Sequence, residues 1–196
     1  MKRNKRIFWS VVLMTFPFKA DTIANIIRKN NLFGSVGENC FIQLRKLPLY
    51  SELIHLHNNI CIGSNVVFVT HDATHLVLNE LYGPQKFVED IGCIEIMDNV
   101  FIGSGTQIMN NVRIGSNVVI GAGSTVTKDI PDNTVYSGNP ARYICDFDDF
   151  VDLKTDRTQR FKACYGIDEI QGVDLALANQ LYENFKKEKD KKRKVK

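Results

Sequence analysis

The sequence predicts an all-β solenoid, short strands wound in regular coils, with one extruded loop and helices flanking both ends. Three observations predict it. From Ile96 an aliphatic residue recurs every six positions, at Ile102, Ile108, Ile114, Ile120 and Val126. Four residues after each comes a second small or aliphatic one: Val100, Thr106, Val112, Val118, Ser124 and Ile130. Glycine follows the aliphatic at Gly103, Gly115 and Gly121, and Asn99, Asn111 and Asn117 stand three after it. A period of six fits neither the 3.6 of a helix nor the 2 of an ordinary strand. It fits short strands joined at regular corners, each sending a side chain to a common axis, with Gly and Asn tolerating the left-handed backbone of a corner. Three such segments close a triangular turn, and turns stack as parallel sheets about 4.8 Å apart. One turn cannot bury its own inward row, so several must stack.

The elements follow in order. Residues 1–32 form an apolar, helical N-terminal segment. KRNKR followed by IFWSVVLMTFPF has the outline of a signal peptide, but cleavage after Ala20 would put Phe18 where a small residue is wanted. The expectation is a helix packed on the domain, with the basic head beside Phe8, Trp9 and Phe16 also suited to peripheral contact with a membrane surface. Asp21 or Thr22 can cap a second helix with Ile23, Ile26 and Ile27 on one face. The solenoid is expected over 33–144. Its phase starts at Val36-Gly37-Glu38-Asn39-Cys40, breaks from Lys46 to Ser51, and resumes at Leu56 through Phe68. Between 73 and 92 the period vanishes, and a loop that long inside a compact repeat is usually functional. A helical segment is expected over 145–185, where Val173, Leu177 and Leu181 keep i, i+4 spacing, and a frayed basic tail over 186–196.

Charge and composition exclude several classes. The net charge of +3 comes from the two ends; between Ile7 and Phe185 there are 13 basic and 20 acidic residues, a net of −7. A nucleic-acid binder carries its basic stripe on the folded body, so no nucleic-acid partner is expected. No apolar run approaches the roughly 20 residues that span a bilayer. The five cysteines are odd in number and scattered without a C-x-x-C, so neither a disulfide framework nor a metal site is expected, and a cytoplasmic location fits.

The motifs Val100-Phe101-Ile102-Gly103-Ser104, Ile120-Gly121-Ala122-Gly123-Ser124, Val126-Thr127-Lys128-Asp129-Ile130-Pro131 and Gly138-Asn139-Pro140-Ala141-Arg142 resemble the hexapeptide-repeat acyltransferases. The resemblance is to the branch of galactoside, maltose, xenobiotic and polysaccharide O-acetyltransferases, and it covers roughly residues 33–144. It implies a left-handed parallel β-helix, against the usual right-handed crossover. It also implies a homotrimer with active sites at subunit interfaces and acetyl-CoA as co-substrate. By the same resemblance Ser104, Ala122, Thr127, Lys128 and Arg142 match the residues that hold the cofactor. Backbone amides beside Ser104 and Ala122 suit the pantetheine amides, and Lys128 and Arg142 suit phosphates. Phe101, where the family often has Trp, and Asn110-Asn111, where it often has Pro-Gly, are departures that leave this assignment standing.

All four histidines lie between His55 and His75. In the family a histidine at the junction before the loop is the general base, which here is His71 in Val69-Thr70-His71-Asp72. A neutral imidazole suits proton removal from an attacking hydroxyl. His75 is the alternative base, and Asp72 either orients an imidazole or accepts backbone bonds at the start of the loop. His55 and His57 read as surface or corner residues, and Cys61 and Cys93 as inert. The expected function is acetylation of a hydroxyl on a sugar or polysaccharide precursor, the acceptor being a small molecule or glycan. Acetylation of an amino sugar, free or nucleotide-linked, is the alternative. A metal-dependent hydratase on the same scaffold would need three histidines on adjacent turns, and none follows His75. A purely structural solenoid would leave Thr127, Lys128 and Arg142 without an account.

Overall fold

The computed structural model describes residues 3–166 and 172–194; residues 1–2, 167–171 and 195–196, which belong to the expected terminal segments, lie outside the described residues. Two helices open the chain, α1 (Arg3–Thr15) and α2 (Ala20–Lys29). Short strands follow: β1 (Ser35–Val36), β2 (Phe41–Ile42), β3 (Ile54–Leu56), β4 (Ile60–Ile62) and β5 (Val67–Phe68), with a single 3₁₀ turn at Ser51–Leu53. A helix, α3 (Thr74–Tyr82), stands inside the aperiodic excursion. The strands resume as β6 (Ile94–Ile96), β7 (Val100–Ile102), β8 (Gln107–Ile108), β9 (Val112–Ile114), β10 (Val118–Ile120) and β11 (Thr125–Val126). They end with β12 (Thr134–Ser137) and β13 (Arg142–Asp146), before α4 (Phe147–Tyr165) and α5 (Leu175–Lys194).

From β3 to β11 the chain visits three sheets in rotation. One has the order β1-β3-β6-β9, the second β2-β4-β7-β10-β12-β13, the third β5-β8-β11. Among the described residues every pairing between these strands is parallel except β12 with β13. Register aligns like with like: Ile62 faces Ile102 and Ile102 faces Ile120, while Phe68 faces Ile108 and Ile108 faces Val126. The aliphatic row from Ile96 to Val126 is 0% exposed throughout, and its companion row is buried as well. Thr106 and Ser124 in that row both turn their hydroxyls to the carbonyl of Gly121 (3.2 and 2.6 Å), so neither is buried unpaired.

The corners explain the asparagines. Asn59, Asn99, Asn117 and Asn133 all have φ between 56° and 61°, and their amides form a ladder of 2.8–2.9 Å bonds from turn to turn. A short polar side chain tolerates this left-handed backbone and is repaid by the ladder. At Gly103 a Cβ would collide with the backbone nitrogen of Ala122, which is why that slot holds glycine.

The amphipathic α2 turns Ile23, Ala24 and Ile27 inward, joining Leu32, Phe33 and Ile42 in the core at the start of the stack. Its cap differs from expectation: the residue before it is Lys19, and Asp21 lies in the first turn, accepting the Thr22 amide at 2.7 Å. Among the described side chains of α1 only Leu13 is fully buried, while Ile7, Phe8, Val11 and Met14 are exposed. No helix among the described residues is long and apolar enough to cross a membrane.

The contacts divide the chain into two compact units, 1–151 and 152–196. In the second, α5 starts with Asp174 accepting the Leu177 amide at 2.8 Å. Leu177 and Leu181 are half-buried, whereas Val173 precedes the helix and is exposed. The basic tail is not frayed where described: helix continues to Lys194, aided by pairs such as Lys186 with Glu183 at 2.5 Å.

Candidate active site

The third sheet delivers the chain from β5 to His71, where the coil opens. His71 forms an antiparallel bridge with Ile91, the Gly92 amide bonds the Thr70 carbonyl, and the Asp72 amide bonds the Asp90 carbonyl, both at 2.9 Å. These bonds clamp the root of the excursion and fix His71 at its mouth. Within the loop, Asn79 makes paired bonds with the backbone of Phe87 (2.8 and 3.0 Å), tying α3 to the returning arm.

The carboxylate facing the imidazole is Glu89, with its Oε1 4.0 Å from His71 Nε2. Its other oxygen accepts the Tyr50 hydroxyl at 2.9 Å, and the Tyr50 ring stands edge-on to the imidazole at 5.3 Å. That bond, ahead of burial, pushes the Tyr50 phenol above its ordinary pKa, because ionisation would set two negative charges together. The Nδ1 atom of His71 is enclosed and has no hydrogen-bond partner among the described residues.

Asp72 is occupied differently. Its Oδ1 accepts the amide of Thr74 at 3.0 Å and the Thr74 hydroxyl at 2.8 Å, and these bonds hold its pKa below the usual carboxylate range. It opens α3. His75 sits in the first turn of α3, half-buried, with Nδ1 enclosed and unpartnered. Of the remaining histidines, His55 lies in β3 and meets Ser35 at 3.2 Å, and His57, just after β3, meets Glu95 through Nε2 at 3.0 Å. Glu95 also binds Arg113 at 2.7 Å. Cys61 and Cys93 are free and exposed, and burial pushes the Cys61 thiol up rather than activating it.

The sequence signal for Glu89 and Tyr50 was weak. Glu89 lies in an aperiodic loop and Tyr50 in the broken stretch after Lys46, where it takes a left-handed φ of 52°. The break in the six-residue phase there is the visible clue, since an irregular stretch inside a compact repeat is often functional.

Beside His71 a cleft of about 530 Å³ opens between α1, the segment 44–49 and the strand region 65–69. The link is held by Ser51 donating to the Leu32 carbonyl at 2.6 Å and Thr70 to the Leu49 carbonyl at 2.5 Å.

The five residues matched to the cofactor lie along other corners of the coils. Ser104 and Ala122 stand at the corner between the second and third sheets, each followed by a glycine with φ near 70°, and the Gly123 amide bonds the Ser104 carbonyl at 2.9 Å. Thr127 and Lys128 follow β11 and are exposed, as is Arg142 at the start of β13, whose Nη1 bonds the Ala141 carbonyl at 3.1 Å. The structure therefore brings His71, Glu89 and Tyr50 together at the loop mouth and sets Lys128 two strands further along the third sheet.

Coils of six-residue segments opened by one loop are the architecture of a hexapeptide transferase, and residues 94–128 match the family model for the bacterial transferase hexapeptide (six repeats). The chain is 34% identical over 149 residues to the galactoside O-acetyltransferase of Escherichia coli, covering 68% of this chain and 72% of that protein. It is 37% identical over 137 residues to the galactoside O-acetyltransferase of Lactococcus lactis, covering 56% of this chain and 61% of that one. The crystal structure of a maltose O-acetyltransferase from Clostridium difficile superposes with a TM-score of 0.53 at 30% identity, over 74% of this chain and 86% of that one. The chain belongs to the hexapeptide-repeat acetyltransferase family.

Proposed function

We propose that this protein is an acetyl-CoA-dependent O-acetyltransferase acting on a sugar hydroxyl. In this reading residues 33–144 wind as a left-handed β-helix and three chains assemble with active sites at their interfaces. The observation that carries it is His71 at the loop mouth, edging the cleft, with Glu89 and Tyr50 behind its ring. The relatives' names add galactosides and maltose as the kind of acceptor.

The residues divide the work of a direct transfer. His71 takes the hydroxyl proton as the acceptor oxygen attacks the thioester carbonyl. A C–O bond forms, the C–S bond breaks, and the proton passes to the departing sulfur, so no covalent enzyme intermediate is needed. Glu89 then offsets the charge of the imidazolium, and Tyr50 fixes Glu89. Asp72 shapes the loop through Thr74, and His75 is left as the second choice of base. Ser104 and Ala122 present backbone to the pantetheine arm, while Thr127, Lys128 and Arg142 meet the phosphate end of acetyl-CoA.

The assembly is supported by the loop's surface: Leu76, Val77, Leu81, Tyr82 and Val88 are all exposed in the single chain, Val88 by 85%. The basic N-terminus and the exposed face of α1 support peripheral contact with an anionic membrane, and the five free thiols support a cytoplasmic setting.

The test is release of free thiol from acetyl-CoA with methyl galactoside as acceptor. His71→Ala should lower kcat by about 10²- to 10⁴-fold; near-full turnover in that variant would overturn the assignment of the base. Conversion of the product to a hydroxamate by mild alkaline hydroxylamine identifies an ester, and a resistant product would mean amide formation instead.

A further inference from the structure

The cleft beside His71 has a charge that acetylating a neutral sugar does not require. Its apolar wall includes Leu47, Pro48 and Leu49, and it carries Arg6, Arg45 and Lys46 with no carboxylate among its lining residues. Arg45 and Lys46 stand out because the chain between Ile7 and Phe185 is net −7, and Arg6 joins them from the basic N-terminal run just before it. Among the described residues none of the three cations forms a salt bridge.

Their hydrogen bonds leave the charge in place. Arg45 donates to the carbonyls of Leu13, Phe16 and Phe18 at 3.3, 3.0 and 3.4 Å, at and just beyond the end of α1. Arg6 reaches the Leu47 carbonyl at 3.5 Å through Nη1, and its Nε is enclosed without any acceptor. Lys46 is exposed. Carbonyl dipoles solvate a cation without neutralising it, so the charge of Arg6 and Arg45 remains to act on an anion in the cleft. The donor's phosphates are a poor match for this cleft. On the reading above they lie near Lys128, beyond β11, which β8 separates from β5 and hence from His71. Two strand spacings amount to about 10 Å.

We infer that the acceptor is an anionic sugar, a glycoside whose carboxylate or phosphate lies against Arg6 and Lys46 while its hydroxyl is presented to His71. The inference rests on the proposed O-acetyltransferase reading and narrows its substrate class. Arg45, whose donors hold the end of α1, contributes field more than contact. A cleft of one sign with apolar walls concentrates counter-charged substrate and strengthens the pairing once it is bound.

The experiment compares acceptors by thiol release with the full chain at fixed acetyl-CoA: methyl glucuronide and glucose 6-phosphate against methyl glucoside, and methyl galacturonide against methyl galactoside. A charged sugar should exceed its neutral counterpart in kcat/KM by about 10- to 100-fold, the scale of one hydrogen bond to a charged group. The advantage should shrink as salt is raised. Lys46→Gln, a change at an exposed position with no fold to disturb, should reduce the charged-to-neutral ratio, and Arg6→Gln should reduce it further. Preference for the uronides identifies a carboxylate, and preference for the phosphate ester identifies a phosphate; either supports the inference. Equal kcat/KM for charged and neutral sugars would overturn it while leaving the O-acetyltransferase reading intact. A rise in KM for acetyl-CoA in both variants with an unchanged acceptor ratio would also overturn it, assigning the cations to the donor. Acetyl-CoA binding without acetylation of any hydroxyl would overturn both readings together.

Discussion

Glu89 faces His71 from the returning arm of the loop, whereas Asp72, adjacent in sequence, gives its oxygen to Thr74. The division follows from geometry: a residue next to a bridged strand position projects to the other side, and Asp72 meets the helix start rather than the imidazole. Glu89 acts through His71 and is therefore a positioning residue. Glu89→Gln keeps the shape and loses the charge, so kcat should fall by about 10-fold or more with KM for both substrates nearly unchanged. Glu89→Asp should restore part of the loss. A merely structural role would instead lower thermal stability and leave kcat of the folded fraction intact, which steady-state kinetics beside a melting curve separates.

Strand β6 carries two kinds of information on its two faces. Inward, Ile94 and Ile96 are 0% exposed; outward, Glu95 binds His57 on one side and Arg113 on the other. The His57 bond first, and Arg113 after it, hold the Glu95 carboxyl below the usual carboxylate range. A depressed acid pKa contributes stability above the unfolded value, near 4.3, and that contribution is lost as pH falls through the lower folded value. Urea midpoints should therefore separate wild type from Glu95→Gln at about pH 6 and converge towards about pH 3. Inward positions are held by packing instead. Ile120→Ala, in the middle of the second sheet, should destabilise by about 2–5 kcal/mol. Ile144→Ala, at a site 58% exposed, should stay within about 0.5 kcal/mol. Urea denaturation measures both.

At the scale of the molecule, the stack buries its axis against α2 at the start but leaves the excursion's apolar side chains exposed. An isolated chain with so much exposed apolar surface around its catalytic loop is incomplete on the reading proposed here. Light scattering should give a mass three times the 22.3 kDa of the chain. Val88→Asp should weaken the trimer and reduce activity together, because a buried unpaired charge is costly at an interface. A fully active monomer would sink that reading.

The inward rows could be read in the sequence because burial around an axis demands the same side-chain type at each return of the chain. Ile96 through Val126 therefore announces itself by phase, and Asn99 and Asn117 by the left-handed corners they occupy. His71 was visible as the last regular position before the phase fails. Glu89, Tyr50 and the cations of the cleft were not. They come from α1, from residues 45–50 and from the far arm of the loop, segments with no shared period. Nor was α3, because Leu76, Val77 and Leu81 are exposed and leave no buried stripe to set a helical pattern. The repeat is a local constraint that every coil must satisfy, so the chain writes it many times. The site is a single meeting of distant segments, and only the packing of those segments brings it into being.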